Sequence, residues 1–391
     1  MTRAVMRWGV AAAFAASVAL IVTSVGASRG ASDAPADRSA ALPVVAAPDL
    51  DAFARAVEPR EWSFPADHGA HPAFQTEWWY YTGNLATAEG RRFGYQFTVF
   101  RRALSPEEAR SDSEWRANQA YMAHFTVTDV SGGQFYQAQR FSRGAAGLAR
   151  AVSEPRYRVW LDDWAVEARD DEALFTTLSA QSPEVAIDLA LEQVKPPALH
   201  GDGGLSAKSA QPGNASYYYS LSRLETSGTI RLGGADYHVE GASWMDHEFS
   251  TSALGPDAQG WDWFGLHLDD GRELMLGQIR LQDGGTEPTF GGLLIEPDGS
   301  TRYLPASAFE IVAMEWWTSP HSGATYPAGW TIHVGLDGSA PLRLELAPLL
   351  ADQELREGIV YWEGAVRVSG DATGYGYAEL TGYYETMRNR F

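Results

Sequence analysis

The chain has 391 residues, a formal net charge of −20, and a composition that is 45% hydrophobic and 12% aromatic. This length and composition predict one large globular domain or two of ordinary size, and they exclude a disordered protein. The negative charge argues against nucleic acid and anionic lipid as partners, because both would repel an acidic surface. The absence of cysteine excludes disulfides, thiolate nucleophiles, cysteine zinc sites, iron–sulfur clusters and a bacterial lipoprotein anchor.

The N-terminus has the pattern of an export signal. Arg3 and Arg7 precede an apolar run over residues 8–25, and small residues follow up to Ala27. We expect a signal peptide over residues 1–27, or an inner-membrane anchor if it stays uncleaved, because the run approaches the ~20 residues that span a bilayer. The expected location is therefore periplasmic or secreted, with membrane contact only through this segment. Residues 28–57 are predicted to be a linker.

Short aromatic and β-branched runs separated by Gly, Asp, Pro or Ser dominate the first half of the chain, a pattern typical of an all-β sandwich or barrel. The segment Lys195–Asn214 is a predicted loop of a length that is often functional. The strands predicted here are Glu77–Leu85, Phe93–Phe100, Tyr121–Thr128, Phe135–Phe141, Tyr157–Trp160, Trp164–Arg169, Phe175–Ser179, Ile187–Glu192, Tyr217–Leu224, Gly228–Leu232 and Tyr237–Met245.

The second half repeats the layout of the first. An aromatic strand, a turn ending in Gly-Arg at Gly271, and an apolar strand follow one another as they do around Gly90. We therefore predict two tandem β-barrel domains, residues 58–252 and 253–391. The strands predicted here are Gly260–Leu268, Glu273–Leu281, Gly292–Glu296, Phe309–Trp317, Trp330–Val334, Leu342–Leu346, Val360–Val368 and Gly376–Tyr384.

Three ionisable residues in a row, Asp246, His247 and Glu248, are the leading catalytic candidates. On a strand the side chains alternate between faces, so Asp246 and Glu248 share one face with Trp244 and His247 takes the other. An acid beside an aromatic ring in an apolar pocket has a raised pKa and can donate a proton near neutral pH. The alternative is a strand end whose charges are simply solvated.

Aromatic residues on two strands are candidate walls of a ligand cavity. Trp79 and Tyr81 share one strand face, and Trp261, Trp263 and His267 share another. For any single tryptophan, core packing is the competing interpretation. The polar tips of these side chains favour a pocket, since each needs a partner when buried.

Two other kinds of site have weaker sequence support. His247 with a neighbouring acid, or His68 with His71, could supply metal ligands, but their spacing matches no metal motif and we predict no metal or cofactor. A serine hydrolase would need a Gly-x-Ser-x-Gly elbow, and no such pattern occurs.

The chain resembles the AttH / carotenoid 1,2-hydratase-like family, whose lipocalin-like exported members are often described as predicted secreted hydrolases. The resemblance runs from about residue 58 to the C-terminus. It is carried by FPADHGAHPAFQTEWWYYTGNL (64–85), FTVFRRAL (97–104), KPPALHGDGGLS (195–206), GASWMDHEFSTSAL (241–254), GWDWFGLHLDDGRELMLGQIR (260–280) and LLADQEL (349–355).

The resemblance implies two packed calycin-type β-barrels, the first ending near the Asp-His-Glu motif. In the hydratases an Asp after an aromatic-rich strand protonates an isoprenoid double bond and water captures the cation. Asp246 matches that position, and the strand with Trp261 and Trp263 would suit cation stabilisation. The hydratases carry a Tyr-x-Asp-x-Asn-Trp-like pattern where this chain reads Trp-Met-Asp-His-Glu-Phe, a departure that weakens carotenoid as the substrate.

Three functions are consistent with these observations. The first is an exported enzyme that hydrates a hydrophobic, isoprenoid-like substrate, with Asp246 as general acid and Glu248 or His247 positioning water. The second is a lipocalin-like carrier of an apolar ligand, and the third is a secreted hydrolase. All three expect a small hydrophobic molecule as partner, and none indicates an oligomeric state.

Overall fold

A computed structural model describes residues 50–106, 113, 115–252, 254–336 and 340–387, so the predicted signal segment and most of the linker lie outside the described residues. Two large antiparallel sheets curl into barrel-like halves, which confirms the all-β, two-barrel prediction. Three single-turn 3₁₀ helices occur, and no helix of the described residues is long and apolar enough to cross a membrane. The three 3₁₀ helices cover Leu50–Ala52, Ala66–His68 and Ala306–Ala308.

The first barrel is a 13-stranded sheet with the order β4-β3-β2-β1-β13-β12-β9-β8-β7-β6-β5, and β10 and β11 also pair with β12. Its strands are β1 Thr76–Ala86, β2 Arg92–Ala103, β3 Gln119–Asp129, β4 Gln134–Arg143, β5 Ala149–Val152, β6 Arg158–Leu161, β7 Trp164–Ala168, β8 Phe175–Gln181, β9 Val185–Gln193, β10 Ala198–Leu199, β11 Leu205–Ala207, β12 Ala215–Leu232 and β13 Ala235–Ser250.

The second barrel is a 10-stranded sheet with the order β17-β16-β15-β14-β23-β22-β20-β19-β18, and β21 pairs with β22. Its strands are β14 Ala258–Leu268, β15 Glu273–Leu281, β16 Gly292–Ile295, β17 Thr301–Leu304, β18 Phe309–Thr318, β19 Thr325–Val334, β20 Leu342–Pro348, β21 Glu354–Leu355, β22 Tyr361–Gly370 and β23 Gly374–Leu380. The predicted boundary at residues 252 and 253 falls between β13 and β14; the domain ranges themselves stay a prediction.

The strand β12 is longer than predicted, because one ladder runs through the turn-like residues at its centre. Gly228 pairs with Leu189 in the same register as its neighbours. A Cβ at this glycine would lie 2.2 Å from the carbonyl oxygen of Asp188, so only glycine lets the two backbones approach. The predicted loop before β12 contains β10 and β11, which cover that strand.

Separate hydrophobic cores fill each barrel, and a further core joins them. The joining core includes Tyr80 and Trp244 of the first barrel and Trp263 of the second. At one edge Glu273 is fully buried, with Lys195 Nζ 2.6 Å and Arg223 Nε 2.5 Å from its carboxylate. These contacts fix the position of one barrel against the other.

Candidate active site between the two barrels

A cavity of about 770 Å³, counting the part open to solvent, lies between the facing sheets. Aromatic rings form most of its wall, with acids and one lysine among them. From the first barrel come Trp78, Tyr80, Thr98, Phe100, Lys208, Tyr218, Asp246 and Glu248; from the second come Trp261, Trp263, Ile279, Phe290, Tyr361, Glu363 and Glu379, with Leu254 between the barrels.

Strand register places Asp246 in the middle of the first barrel's outer face. It pairs with Tyr80 on one side and with Ser220 on the other. Residues directly opposite in antiparallel strands share a face, so these three side chains all point towards the second barrel. The predicted split of the Asp-His-Glu triplet is thus present, with Asp246 and Glu248 on the cavity side.

Three side chains donate hydrogen bonds to Asp246. The Trp244 indole lies 2.7 Å from Oδ1, the Tyr218 hydroxyl 2.8 Å from Oδ2, and the Ser220 hydroxyl also donates to Oδ1. Burial raises the pKa of Asp246 to about 7, against the lowering effect of these bonds and with a contribution from the nearby charge of Glu248. At neutral pH the Asp246 carboxyl group is therefore protonated in a substantial fraction of the molecules.

A buried histidine lies behind Asp246. His200 Nε2 is 2.6 Å from the Ser220 hydroxyl, and its ring stacks on Tyr218 at 3.7 Å. Sequence reasoning missed this residue, although it lies in the predicted functional loop. Because Ser220 is fully buried and does not line the cavity, this serine–histidine pair orients Asp246 and is not placed to attack a ligand.

Glu248 is not a free acid in the cavity. Its carboxylate lies 2.9 Å from Lys208 Nζ, and the ammonium group in turn lies 4.4 Å from the centre of the Phe290 ring. If Glu248 positions water as predicted, it does so while its carboxylate is paired with the Lys208 ammonium group. Lys208 belongs to the same predicted loop as His200 and, like it, was not predicted as a site residue.

Two acids of the second barrel, Glu363 and Glu379, complete the site and were not predicted. They face each other directly across the β22–β23 ladder, and Glu379 pairs on its other side with Trp263. Burial raises the pKa of both, and the charge of Glu379 adds to the effect on Glu363. A single acid within each of two strands was the signal available in the sequence.

The structure separates the predicted aromatic residues into two groups. Trp261 and Trp263 line the cavity, and Trp244 contacts Asp246. His267 lies behind the cavity wall, where its ring centre is 5.9 Å from that of Trp244 and its Nε2 is hydrogen-bonded to the Ser222 carbonyl. Trp79, Tyr81 and His247 instead face the interior of the first barrel. Their neighbours Trp78 and Tyr80 occupy the cavity side of β1.

The residues inside the first barrel form a polar network around Glu77. His71 Nδ1 and His247 Nε2 each lie 2.8 Å from Glu77 Oε1, and Arg101 Nε lies 2.7 Å from Oε2. Burial opposes charge on Glu77, but Arg101 and the two histidines outweigh it and hold its pKa well below the usual value. The two histidines and the glutamate could together hold a metal ion. Since the adjacent guanidinium would repel a cation, we interpret the group as a hydrogen-bonded ion-pair network.

Asp246 should make folding stability pH-dependent. Its pKa rises from 3.8 in the unfolded chain to about 7 in the folded one, so the folded state holds the proton more tightly. The contribution of Asp246 to stability is therefore fully present below about pH 4 and is lost as the pH rises through about 7, by on the order of 4 kcal/mol. Urea denaturation of Asp246→Asn should show a flatter profile over this range, whereas Asp188→Asn, at an exposed position, should follow the wild type. Parallel wild-type and Asp246→Asn profiles would contradict the assignment.

Fold and site together define a two-barrel β protein with an acidic, aromatic cavity between its barrels. The AttH-like family profile matches residues 55–383, and the chain belongs to that family. A search of curated proteins found no significant match.

Solved structures share this architecture. An AttH from Nitrosomonas europaea is 34% identical, with a TM-score of 0.76, and the match covers 85% of this chain and 100% of that one. Kievitone hydratase from Nectria haematococca is 13% identical, with a TM-score of 0.62 and coverages of 85% and 99%. CghA with Sch210972 is 12% identical, with a TM-score of 0.50 and coverages of 85% and 97%. The first similarity supports the family and the other two show the fold, which is lipocalin-like.

Proposed function

We propose that the protein is a hydratase-like enzyme that adds water to a carbon–carbon double bond of a hydrophobic, isoprenoid-like molecule, or removes water in reverse. The observation that carries the proposal is the position of Asp246, a carboxyl group that retains a proton near pH 7 at the wall of an aromatic cavity. A hydratase of the same fold is consistent with it. Export through the N-terminal segment is a further proposal that rests on the sequence alone.

The reaction would proceed in two steps. Asp246 donates its proton to one carbon of the double bond, leaving a carboxylate on the enzyme and a cation on the substrate. The faces of Trp261, Trp263 and Tyr80 can stabilise that cation, because aromatic rings attract positive charge. Water then bonds to the cationic carbon and releases a proton to a carboxylate of the cavity, which regenerates neutral product.

A carrier function is the main competitor, because an apolar cavity between lipocalin-like barrels suits simple ligand binding as well. A buried acid is costly for a carrier, since its charge must be desolvated without benefit. The hydrolase alternative has less support. Among the described residues that line the cavity, the hydroxyl groups belong to threonine and tyrosine and none to serine, although His124 does hydrogen-bond the Tyr361 hydroxyl.

The test is isotopic. Purified protein is incubated with a panel of acyclic terpenes and their tertiary alcohols in D₂O enriched with ¹⁸O, and the products are analysed by mass spectrometry. We expect deuterium on one carbon and ¹⁸O on its neighbour for at least one alkene, and ¹⁸O exchange into the matching alcohol. Recovery of bound but unlabelled ligand would instead support the carrier.

A further inference from the structure

The acids of the inter-barrel cavity outnumber the cations that could neutralise them. Asp246, Glu248, Glu363 and Glu379 all line it, against one lysine, Lys208. That lysine is already paired with Glu248. Three carboxyl groups therefore remain without a counter-charge among the described cavity residues, which is unusual, because buried charges are normally paired.

The positions of Glu363 and Glu379 indicate where a positive charge would bind in the cavity. The two residues are directly opposed in an antiparallel ladder, the arrangement in which like charges destabilise a sheet. Glu363 is fully buried, and neither of its carboxylate oxygens makes a well-formed hydrogen bond within the described residues. The Trp261 side chain hydrogen-bonds Glu379. The polar neighbours of Glu363 are the hydroxyl groups of Tyr80 and Tyr361, so this buried acid has no counter-charge beside it, which calls for an explanation in a ligand cavity.

The remaining groups around the pair do not supply a cation. The hydroxyl groups of Tyr80 and Tyr361 face Glu363, the charge of Glu363 also acts on Tyr377, and His124 hydrogen-bonds the Tyr361 hydroxyl from behind. Asp246 and Glu248 act on Glu379 from across the cavity and add negative charge. With the described residues alone around it, the pair can avoid repulsion only by retaining a proton.

We infer that Glu363 and Glu379 are the recognition site for a positive charge, so that the cavity selects an apolar ligand carrying a cationic group over neutral or anionic ligands of the same shape. A protonated amine is the stable form of such a ligand, and a carbocation formed on a substrate is the transient one. The inference rests on the proposed function in placing the ligand between the barrels. Beyond the proposed function, the inference specifies that the ligand or intermediate carries a positive charge.

Binding of a cation would displace the proton held by the pair. The ligand's positive charge replaces that proton between the two carboxylates, and the proton passes to buffer. Affinity for the cation should therefore rise with pH, by up to ~10-fold per pH unit while one proton leaves per ligand bound. Affinity for a neutral ligand should change little over the same range.

Three probes of matched shape test the inference: geranylamine, geraniol and geranic acid. Isothermal titration calorimetry of the full chain should show geranylamine binding at least ~10-fold more tightly than geraniol at pH 8, with geranic acid weakest. Titrations in two buffers of different ionisation enthalpy should show proton release with the amine only. Glu363→Gln and Glu379→Gln should each reduce the amine preference to within ~3-fold, whereas Glu310→Gln, on the exposed face of β18, should leave it unchanged.

Equal affinity for the three probes would overturn the inference, as would an amine preference that both cavity variants retain. Two variants are used because either could perturb folding, and thermal denaturation of each identifies that case. Failure of the proposed function looks different. An amine preference without any isotopic turnover would reject the proposed reaction and support the cation site. Turnover without the amine preference would reject the cation site and support the reaction.

Discussion

Replacement of Asp246 by asparagine should lower turnover by ~10²–10⁴-fold while leaving fold and ligand affinity close to those of the wild type. The amide keeps the size of the carboxyl group and its oxygen can still accept hydrogen bonds from Trp244 and Ser220. It cannot transfer a proton to carbon. The loss should appear in kcat and not in KM, since the change removes chemistry and not contact area.

The measurement is the rate of ¹⁸O and deuterium incorporation into the substrate found with the terpene panel, alongside circular dichroism and calorimetry with the same ligand. The wild-type rate should fall as pH rises above about 7, because the acid form of Asp246 disappears. Undiminished turnover in Asp246→Asn would exclude this residue as the general acid. A lost rate with unchanged ligand binding would also reject the simple carrier.

Removal of the Arg101 guanidinium should strongly destabilise the first barrel. Its side chain is 1% exposed, with Nε 2.7 Å from Glu77, and it donates further bonds to the carbonyls of His71 and Phe74. Arg101→Met would leave the buried Glu77 carboxylate without its strongest partner and the preceding segment without its anchor. We expect a loss of ~3–5 kcal/mol in the free energy of unfolding.

An exposed ion pair of the same barrel is the matched control. Arg156 Nε lies 2.8 Å from Asp171, and both side chains are largely in solvent, so Arg156→Met should cost less than ~1 kcal/mol. Urea unfolding of the two variants separates the cases. A loss below ~1 kcal/mol for Arg101→Met would show that the network around Glu77 does not stabilise the first barrel in the way described.

The sequence by itself determined most of the strands and the local geometry of the Asp246 strand, but the short strands β5, β10, β11, β17 and β21 were not predicted. Alternation along a strand follows from backbone geometry alone, so Asp246, Glu248 and Trp244 share a face wherever that strand packs. The tandem arrangement was likewise visible in the repeated strand–turn–strand layout. The family resemblance pointed to Asp246, and the structure places that residue at the cavity.

The sequence could not decide which face of a strand meets the other barrel. The segment at residues 77–81 carries aromatic residues on both faces, so periodicity cannot tell Trp78 and Tyr80, at the cavity, from Trp79 and Tyr81, inside the first barrel. Only the direction in which the sheet curls makes that choice.

Tertiary structure alone also brought distant acids together. Glu363 lies far along the chain from Asp246, and no local pattern marks it as part of the same cavity. Its position depends on the β22–β23 register and on how the second barrel docks on the first. The raised pKa values of these acids follow from burial, which is a property of the packed molecule and not of the strand.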